Sequence, residues 1–264
     1  MKQTVYVCSV GIAAPGLPDW ATAQAVLRGE APYIGTELPP YQPLLLPPNE
    51  RRRAPPAVRQ AFRAAEDAVA RSPRPAAELA TVFASSEADM GIIHRICTAL
   101  NQSTRVISPT DFHNTVHNAA AGYWSIAVGA RGPSNTLCGH DVTLAVALLE
   151  TAAQVTTDGY DVLLVLYDVP PPPPLYQERP ISSSSSVALV LTRQREPGCL
   201  GELSLDVVPH VPHSTVADAA LEALRLSNPA TRILPLLQLL AGGNPGTVHV
   251  EHGDGQALRI QLSP

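Results

Sequence analysis

The chain has 264 residues, 45% of them hydrophobic and 16% charged, with a formal net charge of -5. That length supports a substantial core, in one large domain or one domain with an appendage. The mild acidity gives no electrostatic footprint for nucleic acid, and no apolar run is long enough to cross a bilayer, so neither partner is expected.

The N-terminus does not read as a secretory signal. Met1-Lys2 is followed by the strand-like run Thr4-Val5-Tyr6-Val7, and Pro15, Pro18 and Asp19 then interrupt it. A cytoplasmic protein is expected. Cys8, Cys97, Cys138 and Cys199 are scattered, with no CxxC and no metal-ligand spacing, so most are expected to be buried free thiols.

Residues 4–13 read as a buried strand. Asp19 caps a short helix with Trp20, Ala23, Val26 and Leu27 on one face, ended by Gly29. Residues 30–54 form a proline-rich excursion ending in Glu50-Arg51-Arg52-Arg53. Pro55 and Pro56 suit the first turn of a helix to about residue 72, with Val58, Ala61, Phe62, Ala65 and Val69 as its core stripe. A short strand at 80–84 and a helix at 90–100 follow. Residues 114–128 are alanine-rich and predict a closely packed helix, stopped by Gly129 and Gly132-Pro133. A short strand at 136–139 leads into a helix at 141–157, capped by Asp141.

The continuous apolar run Val162-Leu163-Leu164-Val165-Leu166 predicts a strand covered on both faces. Prolines 170–174 break it. Strands follow at 187–192 and 203–208, helices near 214–226 and 230–241, and a final strand pair around the turn Gly253-Asp254-Gly255. The serine run 182–186 is low-complexity and reads as a flexible loop edge, with a phosphosite reading left open. Buried strands alternating with alanine-rich helices predict an α/β layered domain.

The segment Asn118-Ala119-Ala120-Ala121-Gly122-Tyr123-Trp124, running on to Gly129-Ala130-Arg131-Gly132-Pro133-Ser134, resembles the stretch of β-ketoacyl synthases that leads to the active site. There a small-residue helix ends in a Gly-x-Arg-Gly-Pro turn before the strand that delivers the nucleophile. The first strand, Gly11 with Pro15, Trp20 and Gly29, is similar to the way such synthases begin. Pro48-Asn49-Glu50-Arg51-Arg52-Arg53, Tyr167-Asp168-Val169-Pro170 and Leu234-Pro235-Leu236-Leu237 resemble the short, chain-length-factor type of the family, found with aryl polyene and related pigment pathways. The resemblance implies a layered thiolase-like half (α-β-α) over residues 1–212, with a helical and hairpin extension at 213–264 packed on it.

In active ketosynthases the reactive cysteine lies eight residues after the proline of Gly-Pro. Here that position is Asp141. Helix N-terminal amides favour a thiolate or an oxyanion there, and a carboxylate carries no acyl thioester. Cys138 is the rival nucleophile, three residues early and beside His140; the alternative is a buried structural cysteine. The catalytic histidines of a synthase's second half, one in His-Gly-Thr-Gly-Thr, have no counterpart. His210 and His213 lie in a proline-rich turn, and His249 and His252 flank the hairpin.

The resemblance thus implies a non-catalytic subunit that pairs with a full-length β-ketoacyl synthase, shapes its acyl tunnel and works beside an acyl carrier protein. Val116, His117, Ala120 and Trp124 are the candidate tunnel and interface residues, with Trp124 bulky enough to floor a cavity. Arg51, Arg52 and Arg53, with Arg59 and Arg63, are a candidate dock for the acidic carrier, or a solvated helix face. His113 and His117, four apart, would share a helix face, but no third ligand accompanies them, so helix-start packing is preferred to a metal. No cofactor is expected. An active acyl-condensing or acyltransferase enzyme using Cys138 and a purely structural scaffold subunit are the other two readings.

Overall fold

The computed structural model describes residues 3–264; Met1 and Lys2, which bear on the reading of the N-terminus, lie outside the described residues. One eight-stranded mixed sheet organises the chain, in the order β3-β2-β4-β5-β1-β6-β8-β7. Its strands are β1 (Gln3–Ala13), β2 (Ala80–Ala84), β3 (Ser134–Leu137), β4 (Val162–Asp168), β5 (Ser185–Thr192), β6 (Gly201–Pro209), β7 (Gly246–Gly253) and β8 (Gln256–Ser263). β2 runs parallel to β3 and β4, and the remaining pairs are antiparallel.

The helices in chain order are α1 (Trp20–Leu27), α2 (Pro48–Arg53), α3 (Pro56–Val69), α4 (Met90–Leu100), α5 (Pro109–His113), α6 (Ala119–Val128), α7 (Thr143–Ala153), α8 (Leu175–Glu178), α9 (Ala219–Ser227) and α10 (Leu234–Gly242). One face of the sheet buries Phe62, Ala65, Tyr123 and Trp124 of α3 and α6. The other buries Trp20 of α1, Leu148 of α7, Leu224 of α9 and Leu236 of α10. The result is a three-layer α-β-α sandwich. β4 and β5 are buried along their whole length, as strands covered on both faces must be.

α3 packs unusually close. A Cβ on Gly11 of β1 would overlap the Ala64 carbonyl of α3, so only glycine fits there. The Asp67 carboxylate on α3 accepts from the backbone of Trp20 at 2.7 Å and Ile12 at 3.2 Å, which fixes α1 against the sheet. The hairpin turn between β7 and β8 has positive φ at Gly253, Asp254 and Gly255, as its composition predicts.

Several boundaries differ from the sequence reading. The helix expected at 114–128 begins at Ala119. Asn114 interrupts it: its side-chain amide donates to the carbonyls of Thr110 (2.9 Å) and Arg53 (3.2 Å), ending α5 and tethering the chain. His113 closes α5 and His117 lies beyond the break, so the two do not share a helix face. The excursion before α3 contains the one-and-a-half-turn helix α2, started by Pro48. Cys8 and Cys199 form a disulfide, and Cys97 and Cys138 are exposed, in place of buried free thiols. Among the described residues no helix is long and apolar enough to cross a membrane.

Candidate functional site

β3 delivers the chain to the loop in which the sequence reading places the nucleophile. Cys138 and Gly139 lead into a single 3-10 turn, His140–Val142, and α7 starts at Thr143. His140 has φ 51°, a left-handed conformation that costs a non-glycine residue on the order of 1 kcal/mol and tightens the elbow. Thr143 organises the turn: its hydroxyl accepts from the Gly139 amide (3.1 Å) and donates to the His140 carbonyl (2.7 Å).

Asp141 does not cap the helix, as the sequence reading expects. Its carboxylate accepts a hydrogen bond from Arg179 at 2.8 Å instead. Arg232 stands 3.8 Å from the same oxygen, and His140 Nδ1 stands 3.6 Å from the other. Arg179 also faces Glu87 at 3.3 Å, Glu87 faces His140 at 3.6 Å, and Arg232 reaches Glu251 of β7 at 3.9 Å. Burial pushes the Asp141 carboxyl up, but Arg179, Arg232 and His140 outweigh it and hold its pKa below the usual carboxylate range. The elbow is thus closed by a network of two arginines, His140 and three carboxylates drawn from five segments.

Cys138 sits at the end of β3, its thiol donating to the Ser86 carbonyl at 2.8 Å. Desolvation at the strand end, with Glu87 and Asp168 nearby, pushes its pKa up despite the opposing His140 amide and Arg179. His140 faces Glu87 and Asp141 through both ring nitrogens, so it is engaged by carboxylates and not by this thiol. Asp168, wholly buried at the end of β4, accepts from the Ser85 hydroxyl and from the amide and hydroxyl of Ser86 at 2.8–2.9 Å. Burial pushes its pKa up to about 6.

Beside this loop lies a cavity of about 200 Å³ that brings together Val116, His117 and Ala120 with Ala57, Val58 and Tyr167. Trp124 is not part of it. Its ring is fully buried between Phe62, at a centroid distance of 5.1 Å, and Phe83, at 6.4 Å, so it is a core side chain and no cavity floor. Ala120 is also buried, whereas Val116 is 52% exposed.

The basic run divides. Arg51 donates to the carbonyls of Leu44 and Leu46 and holds the loop before α2. Arg59 and Arg63 are likewise engaged by the carbonyls of Ala54 and Pro39, and Arg63 lies over the Tyr41 ring. Arg52 and Arg53 are exposed, Arg53 standing 3.6 Å from Glu50. The residues missing from the sequence reading are Glu87, Arg179, Arg232 and Glu251, each distant in sequence from Asp141.

A family model described as β-ketoacyl synthase, N-terminal domain, matches residues 20–241. The chain belongs to this family. No curated protein sequence matches it. Among solved structures it is similar to a chain of the ketosynthase ApeO in complex with its chain length factor ApeC from Xenorhabdus doucetiae, with TM-score 0.69 and 21% identity over 98% of this chain and 99% of that one. It is also similar to a chain of AntDE:AntF, a type II PKS acyl-carrier protein in complex with its ketosynthase bound to the hexaketide, with TM-score 0.77 and 14% identity over 100% and 99%. The ketosynthase from module 6 of the bacillaene synthase of Bacillus subtilis 168 matches with TM-score 0.56 and 11% identity over 85% of this chain but 45% of that one. The thiolase-like layered α/β fold is therefore shared with ketosynthases, and this chain matches under half of the bacillaene enzyme.

Proposed function

We propose that the chain is a non-catalytic ketosynthase-like subunit that pairs with a full-length β-ketoacyl synthase and shapes the tunnel for the growing acyl chain. The observation that carries this reading is Asp141 at the nucleophile's place, already engaged by Arg179 and Arg232. An ionised, ion-paired carboxylate neither forms a thioester nor welcomes a malonyl anion. Cys138 is a poor substitute, because its pKa is raised and it lies on the strand side of the elbow, away from the N-terminus of α7.

A permanent partner is supported by what the sheet leaves open. β3 is an edge strand with its outer hydrogen-bonding side unpaired. The stretch from α4 to α6, whose last helix packs against β3, exposes Ile93, Leu100, Val106, Phe112, Val116 and Ile126, between 43% and 73% each. Apolar exposure of that extent supports an association surface. In this reading residues 213–264 are an extension that covers the remaining apolar face, the cavity beside Ala120 is the chain's share of the tunnel, and Arg52 and Arg53 are available to an acidic carrier protein.

Co-expression with a full-length ketosynthase, followed by size-exclusion chromatography and product analysis, tests the proposal. A stoichiometric complex whose product length changes with Val116→Ala supports it. A chain that stays separate from every ketosynthase, or condenses acyl units alone, overturns it.

A further inference from the structure

A second cleft, of about 470 Å³, is lined by Arg59, Gln60 and Arg63 of α3 together with serines 182, 183 and 184 of the loop that enters β5. Arg59 and Arg63 are four apart on one helix and so share a face. Arg59 donates to the Ala54 carbonyl at 2.9 Å, and Arg63 donates to the Pro39 carbonyl and lies over the Tyr41 ring. These partners are neutral. Neither arginine is ion-paired with a carboxylate among the described residues, and burial pulls the Arg63 guanidinium below its usual pKa with only Tyr41 opposing. Glu37 also lines the cleft, exposed and paired with neither.

A buried acceptor opens on the same space. Gln60 is 5% exposed. Its Nε2 donates to the Ala13 carbonyl at 2.8 Å and to the Ser186 hydroxyl at 3.1 Å. A carbonyl only accepts, so the orientation of the amide is fixed and Oε1 is the atom left over. No donor of the described residues meets Oε1, and it is not sealed in the core as the Tyr41 hydroxyl is. Gln60 lines the cleft, so a guest there reaches this oxygen. The Ser183 hydroxyl is tied to Ser185 and Ser227, whereas those of Ser182 and Ser184 carry no hydrogen bond among the described residues.

We propose that this cleft binds a small hydroxylated phosphate monoester. Two uncompensated guanidiniums match a phosphate dianion in charge and in hydrogen-bonding geometry, and the free serine hydroxyls add donors to it. Gln60 Oε1 and the Glu37 carboxylate then accept from hydroxyls on the carbon skeleton. An ammonium would face the arginines, an apolar guest would leave every one of these groups unmet, and a bare phosphate would leave Gln60 unmet. The volume lies within the range of small-molecule sites, roughly 300–1,000 Å³. The site is independent of the tunnel reading.

The test titrates the full chain with ribose 5-phosphate, propyl phosphate and ribose while the backbone amides of Arg63 and Ser184 are followed by NMR. Ribose 5-phosphate is expected to bind about three- to tenfold more tightly than propyl phosphate, the worth of one neutral hydrogen bond, and at least about tenfold more tightly than ribose, which lacks the anion. Arg63→Gln should erase the advantage over ribose, and Arg63→Lys should restore part of it. Gln60→Met should erase the advantage over propyl phosphate and leave propyl phosphate binding unchanged, which a merely loosened fold would not do. The comparison of probes on the unaltered chain stands even where a variant fails to fold. Equal binding of ribose and ribose 5-phosphate, equal binding of the two phosphates, or no response at Arg63 and Ser184 to any probe overturns the site. Product length plays no part in these measurements, so the site and the tunnel reading stand or fall separately.

Discussion

The Asp141 carboxylate and the Arg179 guanidinium stand 2.8 Å apart, so the turn between β3 and α7 is the centre of an ion-pair network. Through Arg232 the same carboxylate is linked to Glu251 of β7, and through Arg179 to Glu87 after β2. The turn thus joins the segment after β2 to β7, the strand at the far edge of the sheet.

This arrangement gives a pH signature. The Asp141 pKa is depressed in the folded chain, so its contribution is present above the ordinary carboxylate pKa and is lost as pH falls through the lower folded value. The group is partly solvated, so Asp141→Asn is expected to cost about 1 kcal/mol at neutral pH. Urea denaturation of both forms at neutral and strongly acidic pH measures this, and the gap should close in acid. A gap of equal size at both pH values refutes the assignment.

Trp124 belongs to the core, and its truncation should act on folding before it acts on any product. Trp124→Ala is expected to cost about 3–5 kcal/mol, the range for emptying a large aromatic site. Trp124→Phe should cost far less, because the indole N–H has no partner to lose. Denaturant midpoints of the two variants decide between this and a cavity-floor role, in which both would remain near wild-type stability.

Cys138 should be a slow thiol. With its pKa raised, the thiolate fraction at neutral pH lies below that of a free cysteine, and alkylation should accelerate only in more alkaline buffer. Incubation with an acyl carrier substrate should leave the intact mass unchanged. An acyl adduct on Cys138, or condensation by Asp141→Cys alone, would restore the enzyme reading.

Phe112 is 68% exposed on α5, which packs against α4. Phe112→Glu should leave the thermal midpoint of the isolated chain within a few degrees and abolish complex formation with a ketosynthase, since a charge would be desolvated in the interface. Ala120 is a poorer choice for this test, because it is 1% exposed and a charge there would damage the core as well. An unaltered complex carrying Phe112→Glu would move the interface elsewhere.

Local pattern revealed the strands best. The apolar run of β4 and the Gly-Asp-Gly turn each carry their structure in a few neighbouring residues. The face of α6 was not legible, because Ala119–Val128 contains no charged residue and its period points nowhere. The cavity reading of Trp124 rests on the family resemblance and the bulk of its ring, and no periodicity in α6 points it instead at Phe62. Asp141 was legible as a position but not as a partner, since Arg179 lies 38 residues away and meets it only once β4 and α8 are in place. The disulfide spans 191 residues and leaves no spacing to read.

β1 lies inside the sheet, and both of its neighbours come late: Ile12 pairs with Val187 and Val5 with Leu203. During synthesis this apolar strand is made before either of its partners, and neither of its edges can be paired until β5 and β6 have followed. The nascent chain therefore carries an aggregation-prone segment through most of translation, the situation that trigger-type chaperones and slow, non-local folding go together with. A chain released before β6 is complete leaves one edge of β1 without its partner.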